Sequence, residues 1–328
     1  MRLVTFRSRT SSSGPARIGA LVQGDTKIVD LTSLHSDHPE FASMLEFIRA
    51  GEPALARARE SIEKATAQNQ SLVGAADASL LAPLPNPPMV RDWGMMAEHA
   101  LFFIHASANA RAAREPDPKA ALEKLKAQGA YDLPKNYFTL PRFYVANPLN
   151  LRGPEAVIEW PRNCDQLDYE LELGLVIGKT GKDIPESGAR AHMFGLTLFN
   201  DLTMRDVQVQ EGSASGKSKE FDGSYVIGPC IATMDEFDDI YDITVRTRLN
   251  GEQKTESSTK TLRVTFERLI EHVSTSNTLH AGEIFGTGTF QNGCGVETAR
   301  LLRDGDVIEL EADKIGTLRN SISRTAPR

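Results

Sequence analysis

Two glutamates stand two positions apart in LDYELELGLVIG (residues 167–178), a segment that otherwise has the pattern of a buried strand. Side chains alternate between the two faces of a strand, so Glu170 and Glu172 share one face, with their stems roughly 7 Å apart. If both carboxylates are buried, they repel each other and their pKa values rise unless positive charge lies close by. A hard divalent cation with oxygen ligands can supply that charge, and so can surrounding Lys and Arg side chains. A half-solvated strand with a polar outer face is the remaining interpretation.

A second acidic segment, FNDLTMRDVQ, follows the strand-like GLTLF. We expect Asn200 or Asp201 to cap a short helix. Asp201, Arg205 and Gln208 stand at positions i, i+4 and i+7, which predicts that they share one helix face. Such a face indicates either a local Asp–Arg pair or a carboxylate ligand beside two substrate-binding side chains.

A histidine and an aspartate lie upstream in RDWGMMAEH. If Asp92 begins a helix, His99 falls on the same helix face two turns later, which would place an acid and a base together. A lone histidine is equally consistent with a packed core or surface side chain. The spacing alone leaves both interpretations open.

Several other functions are excluded by motif and composition. In GSASGKS (residues 212–218) only three residues separate the glycines, one fewer than a phosphate-binding loop requires. The formal net charge of −7 argues against nucleic acid or an anionic membrane as a partner. The N-terminal segment has no apolar core typical of a secretory signal, and Cys164, Cys230 and Cys294 are too far apart for a zinc motif. We therefore expect a cytoplasmic protein with reduced thiols.

The elements that must position these residues are mostly strands. Residues 1 to about 85 predict a small N-terminal β-rich domain, and the proline-rich LLAPLPNPPMVRDW marks its boundary with a second domain, residues 86–328. A helical pattern follows Trp93 and runs to about Gly129, whereas short β-rich segments dominate after Pro141. Long helices do not alternate with strands, so we predict a predominantly β, α+β fold with a helical insertion.

Five motifs in order resemble the fumarylacetoacetate hydrolase superfamily over roughly residues 85 to 325. They are DYELELGLVIGKTGKDI, FGLTLFNDLTMRD, KSKEFDGSYVIGPC, an NGE turn and GTGT. The resemblance implies a mixed β-sandwich roll and, by family likeness alone, a homodimer. The helical stretch 108–135 is then expected to act as a lid or a dimer contact. It also implies a hard divalent cation, Mg²⁺ or Ca²⁺, with Mn²⁺ as a further choice.

The resemblance assigns roles residue by residue. The implied metal ligands are Asp92, Glu170, Glu172 and Asp201. The implied catalytic residues are His99, Glu297, Lys219, Arg205 and Gln208. The implied substrate contacts are Tyr144, Arg205, Gln208 and Thr289. Lys217 stands two positions before Lys219. Only the match of Lys219 and Phe221 to the family's KxF pattern favours Lys219 as the donor to the substrate.

The function implied is a metal-dependent hydrolase that cleaves a carbon–carbon bond in a 1,3-diketo acid such as fumarylacetoacetate or an acylpyruvate. His99, oriented by Glu297, would activate water. Three alternatives stay open: a β-keto acid decarboxylase, an isomerase of the same superfamily, and a hydrolase of 2,4-diketo-3-deoxy sugar acids. A non-catalytic metal-binding or scaffold protein is a fourth, which the intact Asp92, His99 and Glu297 argue against.

Overall fold

The computed structural model describes residues 1–10, 14–212 and 216–324, so the middle of GSASGKS lies outside the described residues. The strands are β1 (Arg2–Ser8), β2 (Arg17–Val22), β3 (Lys27–Asp30), β4 (Leu72–Gly74), β5 (Ala78–Leu80), β6 (Val90–Trp93), β7 (Phe143–Ala146), β8 (Leu151–Arg152), β9 (Val157–Glu159), β10 (Leu167–Asp168), β11 (Leu171–Ile177), β12 (Met193–Asp201), β13 (Thr203–Met204), β14 (Tyr225–Thr233), β15 (Thr244–Leu249), β16 (Glu252–Ser258), β17 (Ile284–Gly286), β18 (Val307–Ala312) and β19 (Gly316–Ser323). The helices are α1 (Leu31–Leu34), α2 (Met44–Ala50), α3 (Glu52–Gln68), α4 (Ala97–Ala112), α5 (Pro118–Ala127), α6 (Glu186–Ala189), α7 (Arg205–Glu211) and α8 (Phe266–Ser274).

Most of the strands belong to one large mixed sheet. Its strand order is β4-β3-β2-β1-β14-β12-β11-β17-β6-β7, with β5 beside β1 and β8 beside β14. A five-stranded sheet, β16-β15-β18-β19-β9, contributes to the same hydrophobic core as β11 and β12. The predicted predominantly β, α+β fold is confirmed.

Strands β11 and β12 lie in the middle of the large sheet, and every residue in them is buried. They pair antiparallel, with Leu171 opposite Asn200 and Glu172 opposite Phe199. Alternate leucines of β11 enter the core shared with the five-stranded sheet, whereas Val176 enters a second core under the N-terminal helices. Because both faces of the sheet are covered, any polar side chain on these strands must find partners inside the protein.

The N-terminal residues share this sheet. Strand β1 pairs antiparallel with β14, Leu3 lying opposite Ile231, and the Phe47 ring of α2 contacts Phe194 of β12 at 6.4 Å between centroids. The strands predicted in this part of the chain are present, and the sheet continues across residue 85. The division into two domains at that residue stays a prediction.

The helical insertion lies between β6 and β7 and consists of α4 and α5. The His105 ring of α4 stacks on Tyr131, 4.3 Å between centroids, which ties α4 to the segment after α5. A lid or dimer role for residues 108–135 stays a prediction. Within the described ranges, no helix is long and apolar enough to cross a membrane.

Two local predictions were wrong. Asp92 does not begin a helix: it belongs to β6, and α4 begins at Ala97. Asp201 likewise ends β12 and does not cap α7, whose N-cap is Met204 without a side-chain hydrogen bond. In both cases strand pairing across the sheet, with β17 and with β14, holds the acidic residue in extended backbone.

Candidate active site

Three buried carboxylates converge at one end of the central strands. Asp92 comes from β6, Glu172 from β11 and Asp201 from the last position of β12. One oxygen of each lies within 4.8 Å of one oxygen of each of the others. Strands β6 and β11 both pair with β17, which explains why residues 80 positions apart in the chain meet here.

The surroundings of this cluster fit a hard cation. Oδ1 of Asp201 is buried and has no hydrogen-bond partner, which is costly for a carboxylate oxygen. Gly286 leaves the space open, because a Cβ there would lie 2.5 Å from Oδ1 of Asp92 and 2.9 Å from Oε2 of Glu172. The Gly288 N–H donates to Glu172 at 2.9 Å and to Asp92 at 3.2 Å. Three carboxylates with an unsatisfied oxygen are the ligand set that Mg²⁺, Ca²⁺ and Mn²⁺ prefer.

Glu170 has different partners from Glu172. Its Oε1 lies 2.7 Å from Nη2 of Arg205, and its Oε2 accepts a hydrogen bond of 2.7 Å from Nζ of Lys219. Lys219 also donates to Oδ2 of Asp201. Basic side chains therefore compensate the charge of Glu170, whereas the surroundings of Glu172 fit a cation site. The half-solvated strand considered from the sequence does not apply, because both glutamates are buried. A role for Glu170 as a metal ligand stays a prediction.

The pKa values of the two glutamates shift in opposite directions. Burial raises the pKa of Glu172 well above its usual range, and repulsion from Asp92 and Asp201 raises it further. Burial would also raise the pKa of Glu170, but the opposing charges of Lys219 and Arg205 lower it below its usual range. Burial raises the pKa of Asp201 well above its usual range in spite of Lys219. Without a cation, the cluster therefore favours protonated Glu172 and Asp201 beside ionised Glu170.

A histidine of α4 and a glutamate of the segment after β17 pair with each other beside Glu170. Nδ1 of His99 lies 3.2 Å from Oε1 of Glu297, close enough for an ion pair although not aligned as a hydrogen bond. Nε2 of His99 lies 4.0 Å from Oε1 of Glu170. The thiol of Cys294 donates to Oε2 of Glu297 at 3.3 Å. This arrangement presents one imidazole nitrogen to Glu170 and the other to Glu297.

Arg205 is held in place by a residue that the sequence did not single out. Its Nε donates to Oδ2 of Asp168 at 2.8 Å, and Nη1 donates to Oε1 of Gln208 at 3.1 Å. Asp168 is fully buried and also accepts from the backbone N–H groups of Gly295 (2.7 Å) and Val296 (3.2 Å). Asp168 thus joins Arg205 to the turn that carries Glu297. The expected i, i+4 pair between Asp201 and Arg205 is not among the ion pairs of the described residues.

The predicted substrate contacts lie at the edge of the cluster. The Tyr144 hydroxyl donates to Oδ2 of Asp201 at 2.6 Å, and the Thr289 hydroxyl donates to Oε1 of Glu172 at 3.4 Å. Burial raises the pKa of Tyr144 well above its usual range, so the hydroxyl stays protonated. A cavity of about 540 Å³ opens beside these residues, lined by Tyr144, Val145, Gly216, Lys217, Lys219, Glu220 and Tyr225.

The structure thus brings together the residues predicted as ligands, as catalytic groups and as substrate contacts. Lys219 reaches the cluster, whereas Nζ of Lys217 donates to the carbonyl oxygen of Glu220. Asp168, Cys294 and Gly286 also belong to this region and were not predicted from the sequence. A signal for Asp168 was present, because Asp168, Glu170 and Glu172 stand at alternate positions of the segment predicted as one strand. In the structure Asp168 belongs to β10 and Glu172 to β11, and Glu170 lies between these two strands. No pattern indicated Cys294.

The chain is similar to known proteins in both sequence and fold. A family model described as Fumarylacetoacetate (FAA) hydrolase C-terminal matches residues 117–323. The mitochondrial oxaloacetate tautomerase of Xenopus laevis is 32% identical over 326 residues, which cover 98% of this chain and 90% of that protein.

Among solved structures, the fumarylacetoacetate hydrolase of psychrophilic Exiguobacterium antarcticum superposes with a TM-score of 0.69 at 28% identity, covering 99% of this chain and 100% of that one. The maleylpyruvate hydrolase of Sphingobium sp. SYK-6, in complex with manganese(II) and pyruvate, gives a TM-score of 0.70 at 20% identity, with the same coverage. The second likeness shows the fold alone. Hydrolases and a tautomerase therefore occur among the similar proteins.

Proposed function

Because this chain belongs to the fumarylacetoacetate hydrolase family, we propose that it is a metal-dependent hydrolase of a carbon–carbon bond in a 1,3-diketo acid. The observation that carries the proposal is the position of His99. Its Nδ1 lies 3.2 Å from Oε1 of Glu297, and its Nε2 lies 4.0 Å from Oε1 of Glu170. A base held by a carboxylate beside a polarising site is what activation of water requires.

Asp92, Glu172 and Asp201 would hold the cation, with Glu170 as a fourth proposed ligand. Their oxygen atoms suit Mg²⁺, Ca²⁺ or Mn²⁺, and the manganese(II) in the maleylpyruvate hydrolase complex is consistent with this choice. When bound, the cation supplies positive charge to the keto and enol oxygens of the substrate.

The residues of the chain then account for the proton transfers. His99 takes a proton from water through Nε2, and the resulting hydroxide adds to the acyl carbonyl of the substrate. The bond between that carbonyl carbon and the adjacent methylene breaks, and its electron pair stays on the methylene carbon as an enolate. Protonated His99 returns the proton to this carbon, so an acylpyruvate and water yield a carboxylic acid and pyruvate. Glu297 stabilises His99 while it carries the extra proton.

Three side chains are the proposed donors to substrate oxygens on which negative charge develops. Lys219 and Arg205 are buried cations at the cluster, and Gln208 lies 3.1 Å from Arg205. Loss of one donor aimed at a developing oxyanion typically costs about 2.7–4 kcal/mol. Tyr144 and Thr289 border the same space and are the proposed substrate contacts.

The test follows acylpyruvates by two signals: loss of the enol absorbance, and formation of pyruvate measured with lactate dehydrogenase and NADH. With Mg²⁺ or Mn²⁺ we expect one pyruvate for each enol lost, and no turnover with excess chelator. His99→Asn should lower kcat by about 10²–10⁴-fold. His192→Asn, a histidine outside the site, is the matched control and should keep wild-type kcat. If His99→Asn still forms pyruvate in a cation-dependent reaction, His99 is not the base.

Oxaloacetate tautomerisation is the second candidate. It is favoured by the 32% identity to the Xenopus laevis tautomerase over nearly the whole chain. It needs one group to move a proton between carbon and oxygen, which His99 can do without adding water. Rapid loss of the enol absorbance of oxaloacetate, together with no pyruvate from any acylpyruvate, would establish this activity in place of hydrolysis.

A further inference from the structure

We propose that His99, Cys294 and Glu297 form a second metal site, selective for the thiophilic cation Zn²⁺, and that Zn²⁺ bound there blocks the catalytic imidazole. One ligand atom of each residue lies within 4.8 Å of the others. The site shares no residue with Asp92, Glu172 and Asp201, so both sites can be filled at once. The binding site does not depend on the proposed reaction, whereas the block of catalysis does.

The distances are close to those of a coordinated ion. Nδ1 of His99 lies 3.2 Å from Oε1 of Glu297, and Sγ of Cys294 lies 3.3 Å from Oε2 of the same carboxylate. Zinc bonds of about 2.0–2.3 Å in a tetrahedron place neighbouring ligand atoms roughly 3.3–3.7 Å apart. Because these two distances go to different oxygens of Glu297, the side chains must rotate for Nδ1, Sγ and one of these oxygens to enclose Zn²⁺, which leaves a fourth position for water.

The charge of the site also favours a cation. The Glu297 side chain is only 2% exposed, and its partners among the described residues are His99 and Cys294, with no Lys or Arg. Arg205 lies nearby but already pairs with Asp168 and Glu170. Nδ1 of His99 is buried without an aligned hydrogen bond. A buried carboxylate without a fixed cation and an imidazole nitrogen without a donor are groups that gain from a bound metal ion.

The two sites differ in ligand type, which decides which metal each one prefers. The carboxylate cluster offers only oxygen and suits hard cations, whereas this site offers nitrogen, sulfur and oxygen. Zn²⁺ binds thiolate, so Cys294 must release its proton to solvent when the ion enters. The stoichiometry is one Zn²⁺ taken up and one thiol proton released.

Zinc on Nδ1 would affect catalysis without occupying the substrate space. A neutral imidazole that coordinates through Nδ1 carries its hydrogen on Nε2. Nε2 is the nitrogen that faces Glu170, 4.0 Å from its Oε1, and it is the proposed base. Because Nε2 then has no free lone pair, His99 cannot accept a proton from water or substrate.

Cobalt(II) in place of Zn²⁺ tests the site directly, because a cobalt–thiolate bond gives a charge-transfer band in the near ultraviolet. The protein is first saturated with Mg²⁺, so that the carboxylate cluster is filled, and is then titrated with Co²⁺. We expect one equivalent of Co²⁺ to produce the band, and Zn²⁺ to displace it. Cys294→Ser should remove the band, and His99→Asn should weaken Co²⁺ affinity at least tenfold.

The other two buried cysteines are matched controls. Cys164→Ser and Cys230→Ser should keep the band, since neither thiol belongs to the site. Glu172→Gln should also keep it, and this variant separates the inference from the carboxylate site. Absence of the band in the wild-type protein, or its persistence in Cys294→Ser, would overturn the proposal.

Inhibition is the second readout. With Mg²⁺ saturating and acylpyruvate or oxaloacetate as substrate, Zn²⁺ should inhibit the wild-type enzyme. Relative to each variant's own rate without zinc, Cys294→Ser should require at least tenfold more Zn²⁺ for half-inhibition, and Cys164→Ser should not. Equal zinc sensitivity in wild type and Cys294→Ser would show that Zn²⁺ does not act at this site. If the enzyme turns over none of these substrates, the cobalt titration still tests the site, because it needs no turnover.

Discussion

Nζ of Lys219 lies 2.7 Å from Oε2 of Glu170 and also donates to Oδ2 of Asp201, so one buried ammonium serves two of the site's carboxylates. Glu172 has no such partner among the described residues; its contacts are the Gly288 N–H and the Thr289 hydroxyl. The two glutamates therefore differ in how their charge is compensated before any cation binds.

Replacing Lys219 should leave the repulsion between Glu170 and Asp201 without a compensating charge. Removal of one partner from a buried ion pair typically costs about 3–5 kcal/mol. We expect Lys219→Met to lower Tm in the presence of chelator, and Mg²⁺ to raise Tm more in this variant than in wild type. Differential scanning calorimetry measures both, and Lys217→Met is the matched control. Equal Tm values for Lys219→Met and wild type in chelator would contradict the pairing.

Cation binding should stabilise the folded protein through the carboxylate cluster. A ligand present at 100 times its Kd adds about 2.7 kcal/mol of stability if it binds only the folded state. We expect Mg²⁺ or Mn²⁺ to raise Tm in wild type and to have little effect in Glu172→Gln. Glu309→Gln, a carboxylate outside the site, should respond as wild type does. A full metal response in Glu172→Gln would mean that the cation binds elsewhere.

The metal-free protein should lose stability as pH rises. Burial raises the folded-state pKa of Glu172 and Asp201 above their ordinary values of 4.5 and 3.8. A carboxyl group with a raised folded pKa stabilises the protein below its unfolded pKa, and this stability is lost as pH rises toward the folded pKa.

Urea unfolding in chelator should therefore show a free energy of unfolding that decreases between about pH 5 and pH 8, with at most about 1.4 kcal/mol per pH unit from each group. Glu172→Gln should reduce this slope, and saturating Mg²⁺ should abolish it. Glu170 acts in the opposite sense, since its pKa is lowered, and its contribution is lost only as pH falls below about 4.5. An increase in stability from pH 5 to pH 8 in the metal-free protein would contradict the assigned charge states.

Asp168→Asn should disturb two parts of the site together. The amide cannot accept from Arg205, Gly295 and Val296 as the carboxylate does, and an unsatisfied buried donor costs about 1–3 kcal/mol. We expect a lower Tm, a higher KM because Arg205 loses its anchor, and a lower kcat because the turn that carries Glu297 shifts. Asp165→Asn, at an exposed position nearby, is the control. A lower Tm with unchanged KM and kcat would limit Asp168 to a structural role.

The sequence determined the fold class and most of the site's membership. Strand alternation placed Glu170 and Glu172 on one face, and the residues predicted at 92, 99, 201, 205, 219 and 297 do converge. Two of the local reasons were wrong, however. Asp92 belongs to β6 and His99 to α4, so the two do not share one helix, and Asp201 joins Asp92 and Glu172 from the end of a strand.

Only the tertiary structure decided how each charge is compensated. Lys219 reaches Glu170 from 49 positions away, and Asp168 joins Arg205 to a turn more than 120 positions further along the chain. Local spacing predicts neighbours within a helix or a strand, because backbone geometry fixes those distances. Which cation pairs with which carboxylate depends on strand order and packing, and these bring together groups whose separation along the chain carries no information about their distance in space.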